Sequence, residues 1–148
     1  MGFFDGYNIS TSGMSAQRAR INVVSANLAN AQTTNTIDGG PYKKQNIVFQ
    51  EVLLKEQERS ANPHATGDQS TLRGVGVKTV LESKGNPVMR YEPHHPDANE
   101  KGYVAYPDIN PVVEMTDLIE AMRTYESNIA AFQTHKNMDA KTLEILKA

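Results

Sequence analysis

Residues 110–148 carry the pattern that most restricts what this chain can become. Met115, Leu118, Met122, Tyr125, Ile129 and Phe132 follow one another at steps of three, four, three, four and three. That spacing winds an apolar stripe along one side of a helix and keeps it turned toward a partner, as in a coiled-coil seam. Continued at the same period, the stripe meets Lys136 and Asp139 and recovers at Leu143 and Leu146. At 1.5 Å per residue, a helix from Pro111 to Lys147 is about 55 Å long. A chain of 148 residues has no interior wide enough to hide such an element. The sequence must therefore supply a partner for it.

The candidate partner lies near the other end. From about Ser10, a second seam runs through Met14, Gln17, Ile21, Val24, Leu28 and Ala31, again at alternating threes and fours, with Gln17 its one polar member. The opposite side of this helix carries Ala16, Ala19, Val23 and Ala26 where a surface helix would show charge. The C-terminal helix has Thr124, Ser127, Ala131 and Thr134 opposite its own seam. Both helices read as two-faced: one side for a partner in the same chain, the other for close approach by neighbours. Residues 1–9, with Phe3, Phe4, Tyr7 and Ile9, form an apolar cluster ahead of the first helix.

The middle of the chain reads as β-rich. Asp38, Gly39, Gly40 and Pro41 make a turn. An extended stretch over Tyr42 to Phe49 is centred on Ile47, Val48 and Phe49. Residues 52–59 fit either strand or a short helical turn, and Ser60 to Thr71 has the composition of a mobile loop. Gly74 to Glu82 alternates Val75, Val77, Thr79 and Leu81, the mark of a half-buried strand. Val88–Tyr91 and Tyr103–Tyr106 are two shorter strand candidates flanking a proline-stiffened loop. Asn110 then caps the last helix and Pro111 opens it. The expected architecture is α+β: long antiparallel N- and C-terminal helices, coiled-coil-like, over 1–33 and 108–148. A small β-rich insert over 34–107 lies between them, with its loop at about 60–71.

Composition narrows the function classes. The hydrophobic share is 39% with no Trp and four Phe, which suits a thin core. A net charge of −2 without a basic run gives no reason to expect nucleic acid or anionic lipid as a partner. No segment has the apolar length of a membrane span, and the first residues lack the pattern of a cleaved secretory signal. With no cysteine, disulfide and thiolate chemistry are excluded. His94, His95 and Asp97, with His64 further off, lack the spaced framework of a structural zinc site. Gly74 to Thr79 has Val77 where a phosphate loop needs glycine before Lys78. Glu114, Asp117 and Glu120 sit in the first turns of the last helix, where the helix dipole favours negative charge. The expectation is a protein with no catalytic residues, no cofactor and no metal.

Two terminal motifs carry a resemblance. Residues Ser25-Ala26-Asn27-Leu28-Ala29-Asn30-Ala31-Gln32-Thr33 resemble the Ala-Asn-x-Ala-Asn-x-x-Thr motif of bacterial flagellar rod, hook and hook-associated proteins. Val113-Glu114-Met115 through Leu118-Ile119, with Arg123-Thr124-Tyr125-Glu126-Ser127-Asn128, resemble the companion C-terminal motif. The inner stretches Gly39 to Phe49 and His95 to Pro107 are similar to proximal members of the flagellar basal-body rod family. Thr34-Asn35-Thr36-Ile37 departs from the aromatic–glycine step of many relatives.

The resemblance implies a structural subunit of the periplasmic flagellar rod, exported without a cleaved signal and polymerised into a torque-transmitting shaft. It implies as partners further copies of the chain, other proximal rod subunits, the ring–rod adaptor, the distal rod protein and the export apparatus, with no membrane insertion. On this reading Met14, Ile21, Val24 and Leu28 pack against Met115, Leu118, Met122, Tyr125, Ile129 and Phe132 within one subunit. Ala16, Ala19, Val23, Ala26, Asn27, Asn30, Thr124, Ser127, Ala131, Thr134, Lys136 and Asp139 are the expected subunit interface. A helical adaptor or secretion chaperone forming a closed oligomer is the rival reading of the same seams.

Overall fold

A computed structural model describes residues 5–54 and 72–147. The order of elements is α1 (Asp5–Ala29), β1 (Gln45–Leu53), β2 (Arg73–Glu82), β3 (Val88–Tyr91), β4 (Tyr103–Tyr106) and α2 (Pro111–Lys147). The class is α+β, with two long terminal helices and a β insert between them in sequence. The insert is not one sheet: β1 pairs with β2, and β3 pairs separately with β4. The β3–β4 pairing is antiparallel, with Val88 opposite Tyr106 and Tyr91 opposite Tyr103. The expected loop over 60–71 lies outside the described residues.

The chain divides into two compact units. The first comprises the described parts of Met1–Ala19, Phe49–Lys78 and Ala121–Ala148. Here the start of α1 lies against the second half of α2. A Cβ on Gly6 would come within 2.7 Å of the His135 ring, and one on Gly13 within 2.9 Å of the Asn128 amide. Seven residues forward on α1 thus match seven residues back on α2, the antiparallel heptad step that the seams imply. These contacts explain why α1 starts earlier than the stripe suggests. The expected apolar lead-in up to residue 9 is helical from Asp5, because Gly6 trades helix propensity for close approach. Tyr7 packs edge-on to Phe132 at 4.9 Å and donates a hydrogen bond to Asp139 Oδ2 at 2.6 Å.

Within the same unit β2 approaches α1 at Gly74 and β1 at Gly76 by dispensing with side chains. A Cβ on Gly74 would collide with Ser12 Oγ at 2.6 Å and Leu54 Cδ1 at 2.8 Å, and one on Gly76 with Val52 at 2.7 Å. The Val75 amide donates to Ser12 Oγ at 3.3 Å. Arg73 forks onto both oxygens of Glu51 at 2.9 Å. The remainder of β2 departs from the expected half-buried strand: Val77, Val80 and Leu81 are 39%, 43% and 53% exposed. A two-stranded ribbon has nothing to cover its second face.

The second unit comprises Arg20–Val48 and Thr79–Glu120. Its apolar centre holds Val24, Val104 and Tyr106. Tyr106 donates to Glu92 Oε2 at 2.9 Å and carries the Arg90 guanidinium 4.7 Å above its ring. Gly39 and Gly40 adopt φ of 83° and 81°, the left-handed values the Asp38–Pro41 turn requires. Asn110 caps α2 as its sequence suggests, its Oδ1 accepting from the Val112 amide at 3.0 Å.

Candidate functional site

The most enclosed polar assembly in the second unit is built from the two terminal motifs. Asn27, in the last two turns of α1, is 1% exposed, and so is Glu114, in the first turn of α2. Asn27 Nδ2 donates to Glu114 Oε2 at 3.2 Å and to the Gln45 carbonyl at 2.8 Å. Its Oδ1 accepts from the Gln45 amide at 2.8 Å and from the Tyr42 hydroxyl at 3.2 Å. All four hydrogen-bonding positions of the amide are used. No other side chain of this size offers two donors and two acceptors, so the position specifies asparagine on chemical grounds. In effect the side chain pairs with both backbone groups of Gln45 at the start of β1.

The carboxylate of Glu114 is compensated from the same segment. Lys44 Nζ stands 2.6 Å from Glu114 Oε1, which has no other hydrogen-bond donor among the described residues. Three parts of the chain that are distant in sequence, the end of α1, the entry to β1 and the start of α2, are thus joined by one buried clasp. The N-terminal end of α2 adds its own favourable field for the negative charge. Burial, then the charges of Glu114 and Glu82, hold the Tyr42 phenol above its ordinary value, so it remains a donor to Asn27.

The motif's other members do separate work. Asn30 Nδ2 donates to the Ala26 carbonyl at 2.9 Å, and its Oδ1 accepts from Thr33 Oγ1 at 3.1 Å. The Thr33 carbonyl accepts from the Tyr42 amide at 3.1 Å. One asparagine therefore closes the clasp and the other closes the helix end, three residues apart, with the threonine three further on. Arg20 flanks the clasp with longer ion pairs, 3.7 Å to Asp117 and 3.8 Å to Glu120.

Several expected interface positions are occupied inside the chain. Ala16 is 2% exposed, and Asn27 is buried and fully bonded, so neither is offered to a neighbour. Asn30 is spent on the helix end, and Asp139 takes the Tyr7 hydroxyl within the first unit. The seam's break at Asp139 is thus an internal polar contact. Ala19, Val23 and Ala26 are half-buried. The outward strip of α1 is instead Thr11, Ser15, Arg18, Asn22 and Ser25, at steps of four, three, four and three. On α2, Ser127, Ala131, Thr134 and Lys136 are exposed and Thr124 is half-buried, while the Ser127 and Thr134 hydroxyls bond back to their own helix.

The expected intrachain seam is distributed unevenly. Val24 is buried, while Met14, Ile21, Leu28, Leu118, Tyr125, Ile129 and Phe132 are half-buried. Met115 and Met122 are 52% and 46% exposed, and their helical neighbours Glu114 and Ala121 take the buried positions at 1% and 0%. The buried face of α2 is rotated by about one residue from the stripe, because the clasp draws Glu114 inward. Sequence reasoning placed Glu114 at the helix dipole and gave Lys44 no role. The available signal was a carboxylate in the C-terminal motif and a lysine in the inner stretch, but nothing in their spacing pairs them. Among the described residues, no group of three or more His, Asp or Glu is placed to hold a metal, and no helix is long and apolar enough to cross a membrane.

Comparison with known proteins agrees with this geometry. Residues 8–35 match the family model described as flagella basal body rod protein. Residues 100–145 match the model described as flagellar basal body rod FlgEFG protein C-terminal. Those two stretches contain Asn27 and Glu114 respectively. The chain is similar along its whole length to flagellar basal-body rod proteins FlgC. It is 38% identical to that of Borreliella burgdorferi over 158 residues, with 99% of each chain covered. Against that of Bacillus subtilis it is 37% identical, covering 97% of this chain and 98% of the relative. Against that of Aquifex aeolicus it is 39% identical, with 99% of each covered.

Proposed function

This chain belongs to the flagellar basal-body rod protein family, and we propose on that premise that it is a structural subunit of the proximal rod. It polymerises through its terminal helices into the torque-transmitting shaft of the basal body. The observation that carries this reading is the buried clasp. Asn27 from one terminal motif and Glu114 from the other meet in a single network with Lys44 and Gln45, so the two motifs are joined within one chain. A shaft subunit needs that property, since torque passes through the pairing of its own helices as well as through contacts between subunits.

The exposed apolar row on α2 supplies a surface for assembly. Val112, Met115 and Ile119, at steps of three and four, are 71%, 52% and 52% exposed within the second unit. Such a row on a water-facing helix stabilises a neighbour's approach by about 25 cal/mol for each Å² of apolar surface removed from water. Its occupants are further copies of this chain and other proximal rod subunits. The ring–rod adaptor and the distal rod protein lie at the two ends of the assembly. The chain reaches the periplasmic rod through the flagellar export apparatus, and no membrane insertion is involved.

The test is co-purification with basal bodies. A rod subunit remains with isolated basal bodies, and Ile119→Lys removes it from them while leaving the soluble chain folded. A closed oligomer in the soluble pool, with no chain in basal bodies, would favour the adaptor or chaperone reading.

A further inference from the structure

Beside the clasp, the second unit has a cavity of about 170 Å³ whose lining includes Gly39, Pro41, Tyr42, Gly85, Pro87 and Pro107. Three proline rings and the Gly39–Gly40 turn fix its walls through backbone geometry, so it needs little reorganisation to be filled. Small-molecule sites run to about 300–1,000 Å³, so this one suits a single long side chain.

Charge decides which side chain. Lys44 is committed inward to Glu114 at 2.6 Å, and Lys43 is paired with Glu82 at 3.8 Å. Asp108, the remaining charged lining residue, has no hydrogen-bond or ion-pair partner among the described residues. The lining therefore carries one uncompensated negative charge beside an aromatic ring and three proline rings. A guanidinium fits that set, forking onto the carboxylate and stacking flat on the ring, in a way an ammonium does not.

We propose that this cavity is an inter-subunit socket in which Asp108 and Tyr42 receive the Arg123 guanidinium of a second copy of this chain. The inference rests on the rod-subunit reading. Among the described arginines, Arg20 is paired with Asp117 and Glu120, Arg73 with Glu51, and Arg90 lies over Tyr106. Arg18 and Arg123 are exposed and unengaged. Arg18 stands in the exposed polar strip of Ser15 and Asn22. Arg123 stands beside Met122, 46% exposed, so seating it on a protein surface also covers apolar area. It belongs to the C-terminal motif and takes no part in the clasp.

The test is a charge swap read by incorporation into isolated basal bodies. Asp108→Arg and Arg123→Asp each lower incorporation at least about tenfold, the smallest loss expected when one partner of an enclosed charge pair is reversed. The chain carrying both changes recovers most of it. Circular dichroism of each variant stays that of the parent, since both positions are exposed. Normal incorporation of either single variant overturns the proposal. Rescue of Asp108→Arg by Arg18→Asp instead of Arg123→Asp overturns the assignment of the guanidinium. If the unaltered chain is itself missing from basal bodies, the rod-subunit reading has failed; if it is present and the swaps are silent, only the socket has failed.

Discussion

Removing either partner of the Lys44–Glu114 pair gives unequal results, and the inequality follows from where each charge sits. The side chain of Glu114 is 1% exposed and that of Lys44 is 28% exposed. In Lys44→Met the carboxylate stays enclosed without its ammonium, the situation that costs about 3–5 kcal/mol. In Glu114→Gln the isosteric amide carbonyl still accepts from Asn27, and the freed ammonium swings toward the water it already touches. Only one charge-assisted contact is lost, about 1–2 kcal/mol. At about 2–4 °C per kcal/mol for a domain of this size, Lys44→Met lowers the melting temperature by about 6–20 °C and Glu114→Gln by about 2–8 °C. The double variant falls near Glu114→Gln alone, because the neutral amide no longer needs a cation. The assay is thermal and urea unfolding of the full chain and the three variants, followed by circular dichroism and compared as a double-mutant cycle. Equal losses, or a larger loss for Glu114→Gln, would refute the argument that the buried carboxylate dominates the clasp.

Three further outcomes follow from the same structure. Asn27→Leu leaves the Gln45 backbone groups and one Glu114 oxygen without their partner, costing about 2–4 kcal/mol by urea unfolding. Asn27→Asp is at least as damaging at neutral pH, because it sets a second carboxylate against Glu114. Gly13→Leu drives a side chain into Asn128, whose amide lies 2.9 Å from the site of a Cβ, and lowers stability by about 1–3 kcal/mol; adding Asn128→Ala returns part of that loss. Tyr42 is a proton donor whose folded-state pKa is raised above 10.0, so its contribution is fully present below pH 10.0 and is lost as pH rises through that folded-state value. Tyr42→Phe therefore flattens the alkaline loss of stability, measured as urea midpoint against pH; an unchanged slope would remove Tyr42 from the clasp.

Periodicity made the two terminal helices legible, because a three-and-four apolar repeat has few other uses. Turn chemistry made Asp38–Pro41 and the Asn110–Pro111 start legible for similar reasons, since each depends on residues with restricted backbone geometry. The direction of the buried face was harder to read. Hydrophobicity placed Met115 and Met122 inward, yet Glu114 and Ala121 occupy those positions, because a lysine seventy residues earlier compensates the carboxylate. Such a pairing has no local signature. Small residues were equally ambiguous: Ala16 reads as a site for close approach, and it is one, but the approach comes from its own chain. The motif residues Asn27 and Asn30 pointed to the right place with the wrong use. Their hydrogen bonds turn inward, and the side chains left exposed are the polar strip of α1 and the apolar row of α2.

The central claim is that this chain is a lattice part whose two terminal motifs are locked together within one chain. The most direct measurement is its presence in isolated basal bodies, compared between the unaltered chain, Asn27→Leu and Ile119→Lys. The account predicts that the unaltered chain is retained there. Asn27→Leu is depleted in proportion to its loss of folded stability. Ile119→Lys is depleted although its unfolding midpoint is unchanged. Retention of Ile119→Lys at the parent level, or recovery of the unaltered chain solely as a closed soluble oligomer, would contradict it.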